Sequence, residues 1–222
     1  MIKLEFEGTD GAGKTTGLKY FIERAKKHKL NVVETREVGN PNIPICVKLR
    51  EIVLSPDSDL SGEAMEFVFS AMRMENDRWL KNLQKSKKVP DLVVSDRGWF
   101  SHLAYTDFNC STTFTQRLYG NLMSLITDMP NVIIYFKVDT QTALKRRVKR
   151  GTGMDVIEMK GVEYQEQVRG AFEHHLGQAK RFNPAIRIFE VDANQDVVGV
   201  QKQLDHIFNR LYHTRDSSPV TP

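Results

Sequence analysis

Gly8-Thr9-Asp10-Gly11-Ala12-Gly13-Lys14-Thr15-Thr16 fits the pattern G-x-x-x-x-G-K-[ST], and this stretch decides the fold. Glycines at 8, 11 and 13 let the backbone turn tightly with no Cβ in the way. Successive N–H groups can then point inward around a phosphate. Lys14 supplies a mobile positive charge to the β- and γ-phosphates, and the Thr15 hydroxyl suits Mg²⁺. A helix starting near Lys14 would add its positive N-terminal end. Gly11, Gly13, Lys14, Thr15 and Thr16 are therefore the expected contacts of a nucleotide such as ATP with its Mg²⁺.

The pattern needs a strand before it and a helix after it. Ile2, Leu4 and Phe6 alternate with Lys3, Glu5 and Glu7, which predicts a strand over 2–7. Leu18, Phe21, Ile22 and Ala25 recur at helical spacing. One feature departs from expectation. A central parallel strand is usually apolar on both faces, and Lys3 and Glu5 are not.

The chain has 222 residues, enough for one domain with a full core. Apolar residues make up 40% and charged residues 27%, with a net charge of +4, a composition ordinary for an enzyme acting on anionic small molecules. The basic residues are dispersed except for Lys145-Arg146-Arg147-Val148-Lys149-Arg150, so a nucleic acid partner is not expected. Cys46 and Cys110 have no metal-ligand spacing, which points to a reducing compartment. With no signal peptide read at the N-terminus and no run of membrane-spanning length, a cytoplasmic protein without membrane contact is expected.

Further strands are predicted over 31–35, 92–95, 132–137 and 186–191, with helices over about 47–54, 63–85, 114–126, 140–150, 161–180 and 197–211. The stretch 40–44 reads as a loop, and Trp99 to Tyr105 begins a further segment. This alternation predicts an α/β fold, a five-stranded parallel sheet flanked by helices. Arg36 follows the second strand, where such sheets bind ligands. Asp96 closes the third strand, where an acid can reach Mg²⁺ directly or through water. Phe69 and Arg73 share one helical face, a ring beside a guanidinium that can hold a planar base. Arg146, Arg147 and Arg150 cluster near one helix end, before Gly151-Thr152-Gly153, as a lid closing over phosphates would require. His174 and His175 are read as ordinary helix residues.

Taken in order, these motifs resemble the thymidylate kinase family over nearly the whole chain up to about Leu211. Glu7 to Thr16 resembles that family's P-loop, including its acidic Asp10. Thr35-Arg36-Glu37-x-Gly39 resembles its second motif, with Lys48-Leu49-Arg50-Glu51 in the helix that follows. Phe69-Ser70-Ala71-x-Arg73 resembles its base-binding helix, and Ser95-Asp96-Arg97 with Ser101 and Ala104-Tyr105 its Asp-Arg-Tyr segment. Asp192-Ala193 with Gln195 resembles its adenine-side loop.

The resemblance implies a P-loop nucleotide kinase fold with one domain over 1–212 and a lid at about 150–160; the polar, Pro-bearing stretch 213–222 reads as a disordered tail. The resemblance also implies phosphoryl transfer from ATP to dTMP with Mg²⁺, for deoxynucleotide synthesis, in a homodimer. Carried over, Gly13, Lys14 and Thr15 hold the ATP phosphates, and Asp96 serves the metal with Thr15. Asp10 meets the sugar 3′-hydroxyl of the acceptor, and Arg36 and Arg97 grip its phosphate. Phe69 stacks on thymine, Arg73 bonds its edge, and Tyr105 lies against the deoxyribose. Lys14, Asp10 and Arg97 are then catalytic, together with a lid arginine.

The chain also departs from the family pattern. Gly98 stands where Tyr is usual, Val38-Gly39-Asn40 replaces Pro-Gly-Gly, and Val156 follows Asp155 where bacterial-type members often carry Arg. The lid arginine must then be Arg146, Arg147 or Arg150, or be missing, and Arg150 is the expected one, with Arg147 as its understudy. These changes also fit a kinase for a related or modified pyrimidine deoxynucleotide, or a non-catalytic nucleotide-binding relative. A different nucleoside monophosphate kinase would lack the Phe69/Arg73 and Asp96-Arg97 set. A regulatory GTPase would need Asn-Lys-x-Asp, and Phe136-Lys137-Val138-Asp139 lacks the Asn.

Overall fold

In a computed structural model describing residues 1–125, 129–150 and 161–213, five strands alternate with helices. The order is β1 (Ile2–Glu7), α1 (Lys14–Lys27), β2 (Val32–Arg36), α2 (Pro44–Leu54), α3 (Gly62–Gln84), β3 (Leu92–Asp96), α4 (Trp99–Asn109), α5 (Thr112–Leu125), β4 (Val132–Lys137), α6 (Thr140–Arg150), α7 (Gly161–Phe182), β5 (Arg187–Asp192) and α8 (Val197–His213). All strand pairs are parallel, in the order β2-β3-β1-β4-β5. The strand that feeds the P-loop is thus central. Of the lid expected at about 150–160 and the tail expected over 213–222, residues 151–160, Val156 among them, and 214–222 lie outside the described residues, whereas residue 150 ends α6 and residue 213 ends α8.

β1 has two unlike faces, both buried. Leu4 and Phe6 join Leu18 and Phe21 of α1 and Phe208 of α8 in the larger core, where Phe6 meets Phe21 edge-on at 5.7 Å. Lys3, Glu5 and Glu7 occupy the other face, almost fully buried. Their partners account for charges on a central strand. Lys3 Nζ lies 3.3 Å from Glu5 and 3.6 Å from Glu37. Glu5 accepts the Trp99 N–H at 3.2 Å, and Glu7 accepts those of Phe100 and Ser101 at 3.1 Å each, together with the Ser101 hydroxyl. These three N–H groups open α4, whose first turn has no partner within the helix. Two carboxyl groups from β1 thus accept the N–H groups that open α4. Burial is the chief cause that raises both carboxyls, Glu5 to about 8, although Lys3 opposes it at Glu5 and Ser101 at Glu7.

The strands fall within one residue of their expected bounds. The helices differ more. The loop expected over 40–44 yields to a helix at Pro44, which sits at the first helical turn, where its missing N–H costs nothing. The segment begun by Trp99 is a full helix to Asn109, packed on α7 through Tyr105 and Phe172. α5 starts at Thr112, two residues earlier than its apolar pattern indicates.

Candidate active site

The P-loop leaves the carboxyl end of β1 and passes into α1 through Gly13, whose φ of 86° is left-handed. Gly11 has a φ of 84°, and a Cβ there would stand 2.3 Å from the Ala143 carbonyl oxygen of α6, so only glycine fits. Lys14 is buried, and its Nζ donates to the Thr9 carbonyl at 2.8 Å, which holds the ammonium over the loop. Burial, then the neighbouring Arg97 charge, lowers its pKa to about 8, against the opposing pull of Asp10, Asp96 and Glu7.

Beside the loop, Ala12, Gly13, Thr16, Gly17, Arg146, Gln195 and Val200 line a pocket of about 780 Å³, open to solvent. Arg146 is fixed at its edge by donating to the carbonyls of Ala193 at 2.7 Å and Gln195 at 3.1 Å. The opening is large and apolar enough for a nucleobase.

Thr15 and Asp96 meet where β1 and β3 end, the hydroxyl donating to Asp96 Oδ2 at 3.0 Å. Among the described residues no group of three or more His, Cys, Asp or Glu side chains could hold a metal by itself. One hydroxyl and one carboxylate instead suit Mg²⁺, which keeps waters and takes phosphate oxygens as its other ligands.

On the far side of the loop a cleft enclosing about 600 Å³, open at its mouth, is lined by residues that include Asp10, Glu66, Phe69, Arg73, Arg97, His102 and Tyr105. Arg97 has a φ of 67°, an uncommon backbone for a residue with a side chain, worth about 1–3 kcal/mol of strain. Its guanidinium over-determines that position. It donates to Gly8 O at 3.0 Å, Ser101 Oγ at 3.1 Å and Tyr105 Oη at 3.3 Å, and pairs with Asp10. Tyr105 also donates to Asp10 Oδ2 at 2.9 Å. Burial works against the Asp10 carboxylate, but Arg97 and Lys14 outweigh it and hold its pKa well below the usual range. Burial likewise opposes the Arg97 charge, and Asp10 and Tyr105 more than restore it.

Arg73 crosses the floor of this cleft, 4.8 Å above the Trp99 ring. It pairs with Glu37 at 2.5 Å and donates to Gly98 O at 3.1 Å and His102 Nδ1 at 3.2 Å. Arg36 closes β2 opposite Asp96 in register and is not among the residues lining the cleft; its buried Nε has no hydrogen-bond partner among the described residues.

A third, smaller cavity lies between the P-loop and α7, lined by Thr9, Asp10, Thr140, Ala143, Leu144, Arg147 and Gln165. Arg147 is buried there with Nε and Nη1 unbonded, and both amide atoms of buried Gln165 are unbonded too, among the described residues. The side chain of Arg150 lies outside what is described. Sequence reasoning missed Glu66, His102 and Gln165. Their only advance signal is a polar residue on a helix face that also carries core residues.

The thymidylate kinase family profile matches residues 6–204. The chain is 32% identical to a thymidylate kinase of Enterococcus faecalis over 199 residues, covering 88% of this chain and 90% of that one. It is 30% identical to one of Campylobacter curvus over 202 residues, covering 90% and 96%, and 28% identical to one of Bacillus licheniformis over 206 residues, covering 92% and 93%.

Proposed function

We propose an assignment of roles from one premise: this chain belongs to the thymidylate kinase family. The enzyme transfers a phosphoryl group from ATP to dTMP, giving ADP and dTDP, with Mg²⁺. The observation that carries the assignment of roles is the meeting of two clefts at one loop. The pocket beside Gly13 and Gln195 takes ATP, and the cleft beside Asp10 and Phe69 takes dTMP.

In this assignment the N–H groups of Gly11, Gly13, Lys14, Thr15 and Thr16 surround the ATP phosphates, and Lys14 neutralises charge on them. Arg146 borders the adenine. Thr15 and Asp96 would hold Mg²⁺, which supplies charge neutralisation across the β- and γ-phosphates. Phe69 offers its face to thymine, and Arg73 the donors nearest the base edge. Asp10, held by Arg97 and Tyr105, orients the sugar. Arg97 grips the acceptor phosphate, with Arg36 outside the lining of that cleft; Arg147 faces the transferring group, and Arg150 is the other candidate for that role. An acceptor phosphate oxygen attacks the γ-phosphorus in line, and the bond from that phosphorus to the β–γ bridging oxygen breaks. The acceptor phosphate is itself the nucleophile, so positioning and charge are the protein's whole contribution.

Residues 1–212 make up one kinase domain in this reading, and the enzyme is a cytoplasmic homodimer. Exposed Phe67 and Met74, on one face of α3, support self-association. No helix among the described residues is long and apolar enough to cross a membrane. ADP release measured with ATP, Mg²⁺ and a panel of deoxynucleoside monophosphates tests the activity. A best acceptor of dAMP or dGMP would refute the reading.

A further inference from the structure

Glu66, Phe69 and Arg73 form one stripe of α3 along the acceptor cleft. Phe69 offers a ring and Arg73 offers donors, but nothing in the phosphate chemistry requires Glu66. It is a carboxylate only 1% exposed. Its Oε2 lies 3.0 Å from His102 Nε2, yet neither atom makes a well-aligned hydrogen bond among the described residues. His102 joins the two ends of the stripe. Because Nδ1 accepts from Arg73 Nε, the proton of a neutral imidazole must sit on Nε2, toward Glu66. Along this wall the order is therefore donor at Arg73, linker at His102, acceptor at Glu66.

We propose that Glu66 determines base specificity, accepting a hydrogen bond from the ring N3–H of a thymine or uracil whose O4 faces Arg73. The proposal rests on the cleft being the acceptor site. The chemistry is a two-point readout. Thymine presents a carbonyl oxygen and, beside it, an N–H. Cytosine reverses both, with an amino group and then an unprotonated ring nitrogen. Arg73 can only donate and the Glu66 carboxyl oxygens accept, so thymine is matched twice and cytosine opposed twice. A site built around buried polar groups rejects the wrong partner strongly, because those groups are then left unpaired. A carboxylate has two oxygens, so the His102 side and the base side can be served together. His102 is a positioning residue here, since it holds the donor and the acceptor in order.

The experiment is kcat/KM for dTMP and dCMP at saturating ATP in the parent, Glu66→Leu and Glu66→Gln. Leucine keeps bulk and removes the acceptor. The dTMP value should fall roughly tenfold to a hundredfold, while the dCMP value holds or rises, so the dTMP:dCMP ratio collapses. Glutamine can present either its carbonyl or its amino group, so it should retain more dTMP activity and still narrow the ratio. Damage to packing alone would lower both substrates together and leave the ratio intact, and that outcome overturns the proposal. If Glu66→Leu does not fold, an unchanged ratio in Glu66→Gln overturns it equally. A parent enzyme that phosphorylates purine nucleotides in preference to dTMP would instead overturn the acceptor-site reading, and this inference with it.

Discussion

A Cβ on Gly98 would stand 2.0 Å from Glu5 Cδ and 2.2 Å from Glu5 Oε2. The backbone of Gly98 is extended, with a φ of −173° that any residue adopts, so space and not conformation excludes a side chain. Gly98 and the carboxylate of Glu5 are thus one feature, and together they account for the missing tyrosine of the Asp-Arg-Tyr segment. Gly98→Ala should destabilise the protein by about 1–3 kcal/mol through overpacking. In a Glu5→Ala background the same change should cost far less. Denaturant unfolding of the four proteins measures the coupling, and additive costs would refute the link.

Glu5 also makes stability depend on pH. Burial, with help from Glu37 and Glu7 and against Lys3, raises its carboxyl from 4.5 to about 8. The folded state therefore holds a proton that the unfolded chain has released. The contribution of Glu5 is fully present below about pH 4.5 and is lost as pH rises toward 8. Glu5→Gln removes that titration. The Tm of the variant relative to the parent should climb between pH 5 and pH 8, and a constant difference would show that Glu5 ionises normally.

β3 and β4 were legible because Leu92 to Val94 and Val132 to Phe136 are short continuous apolar runs rich in Val and Ile, as strands buried on both faces are. The P-loop was legible because its glycines answer a local backbone need. α4 was read less well because its caps come from Glu5 and Glu7, more than ninety residues away. Glu66 and His102 were hidden for a related reason. A polar residue on an amphipathic helix ordinarily marks the wet face, and only tertiary packing turns these two into the wall of a cleft. Arg73 illustrates the intermediate case. Its spacing from Phe69 predicted a shared face, but not that Glu37, Gly98 and His102 would occupy three of its nitrogens.

Lys14 should impose an alkaline limb on nucleotide binding. Its pKa in the free enzyme is lowered to about 8, so the charge is present below that value and lost above it. Bound phosphates favour the ammonium form. kcat/KM for ATP should therefore decline above about pH 8 while kcat holds to higher pH. Lys14→Ala removes one main-chain hydrogen bond, to Thr9, and should leave the fold standing while lowering kcat by roughly a hundredfold or more. Near-parental kcat in the folded variant would exclude Lys14 from the transferring phosphate.

Arg146 and Arg147 are neighbours in sequence, but consecutive helical residues point about 100° apart. α6 therefore sends them to different places. Arg146 is tied to the carbonyls of Ala193 and Gln195 beside the nucleotide pocket. Arg147 turns toward Asp10 and Gln165, with Nε and Nη1 unbonded. A group that serves ground-state binding shows itself in KM, and one engaged in the transition state shows itself in kcat. Arg146→Ala should raise KM for ATP with a small change in kcat. Arg147→Ala should lower kcat by roughly a hundredfold or more, the range of an arginine stabilising phosphoryl transfer. Arg147→Lys should recover only part of this loss, because an ammonium lacks the planar fork that contacts two phosphate oxygens at once. Steady-state kinetics of the three variants with dTMP and ATP separates these effects. If Arg147→Ala matched Arg146→Ala in raising only KM, the arginine at the transferring phosphate would have to be Arg150.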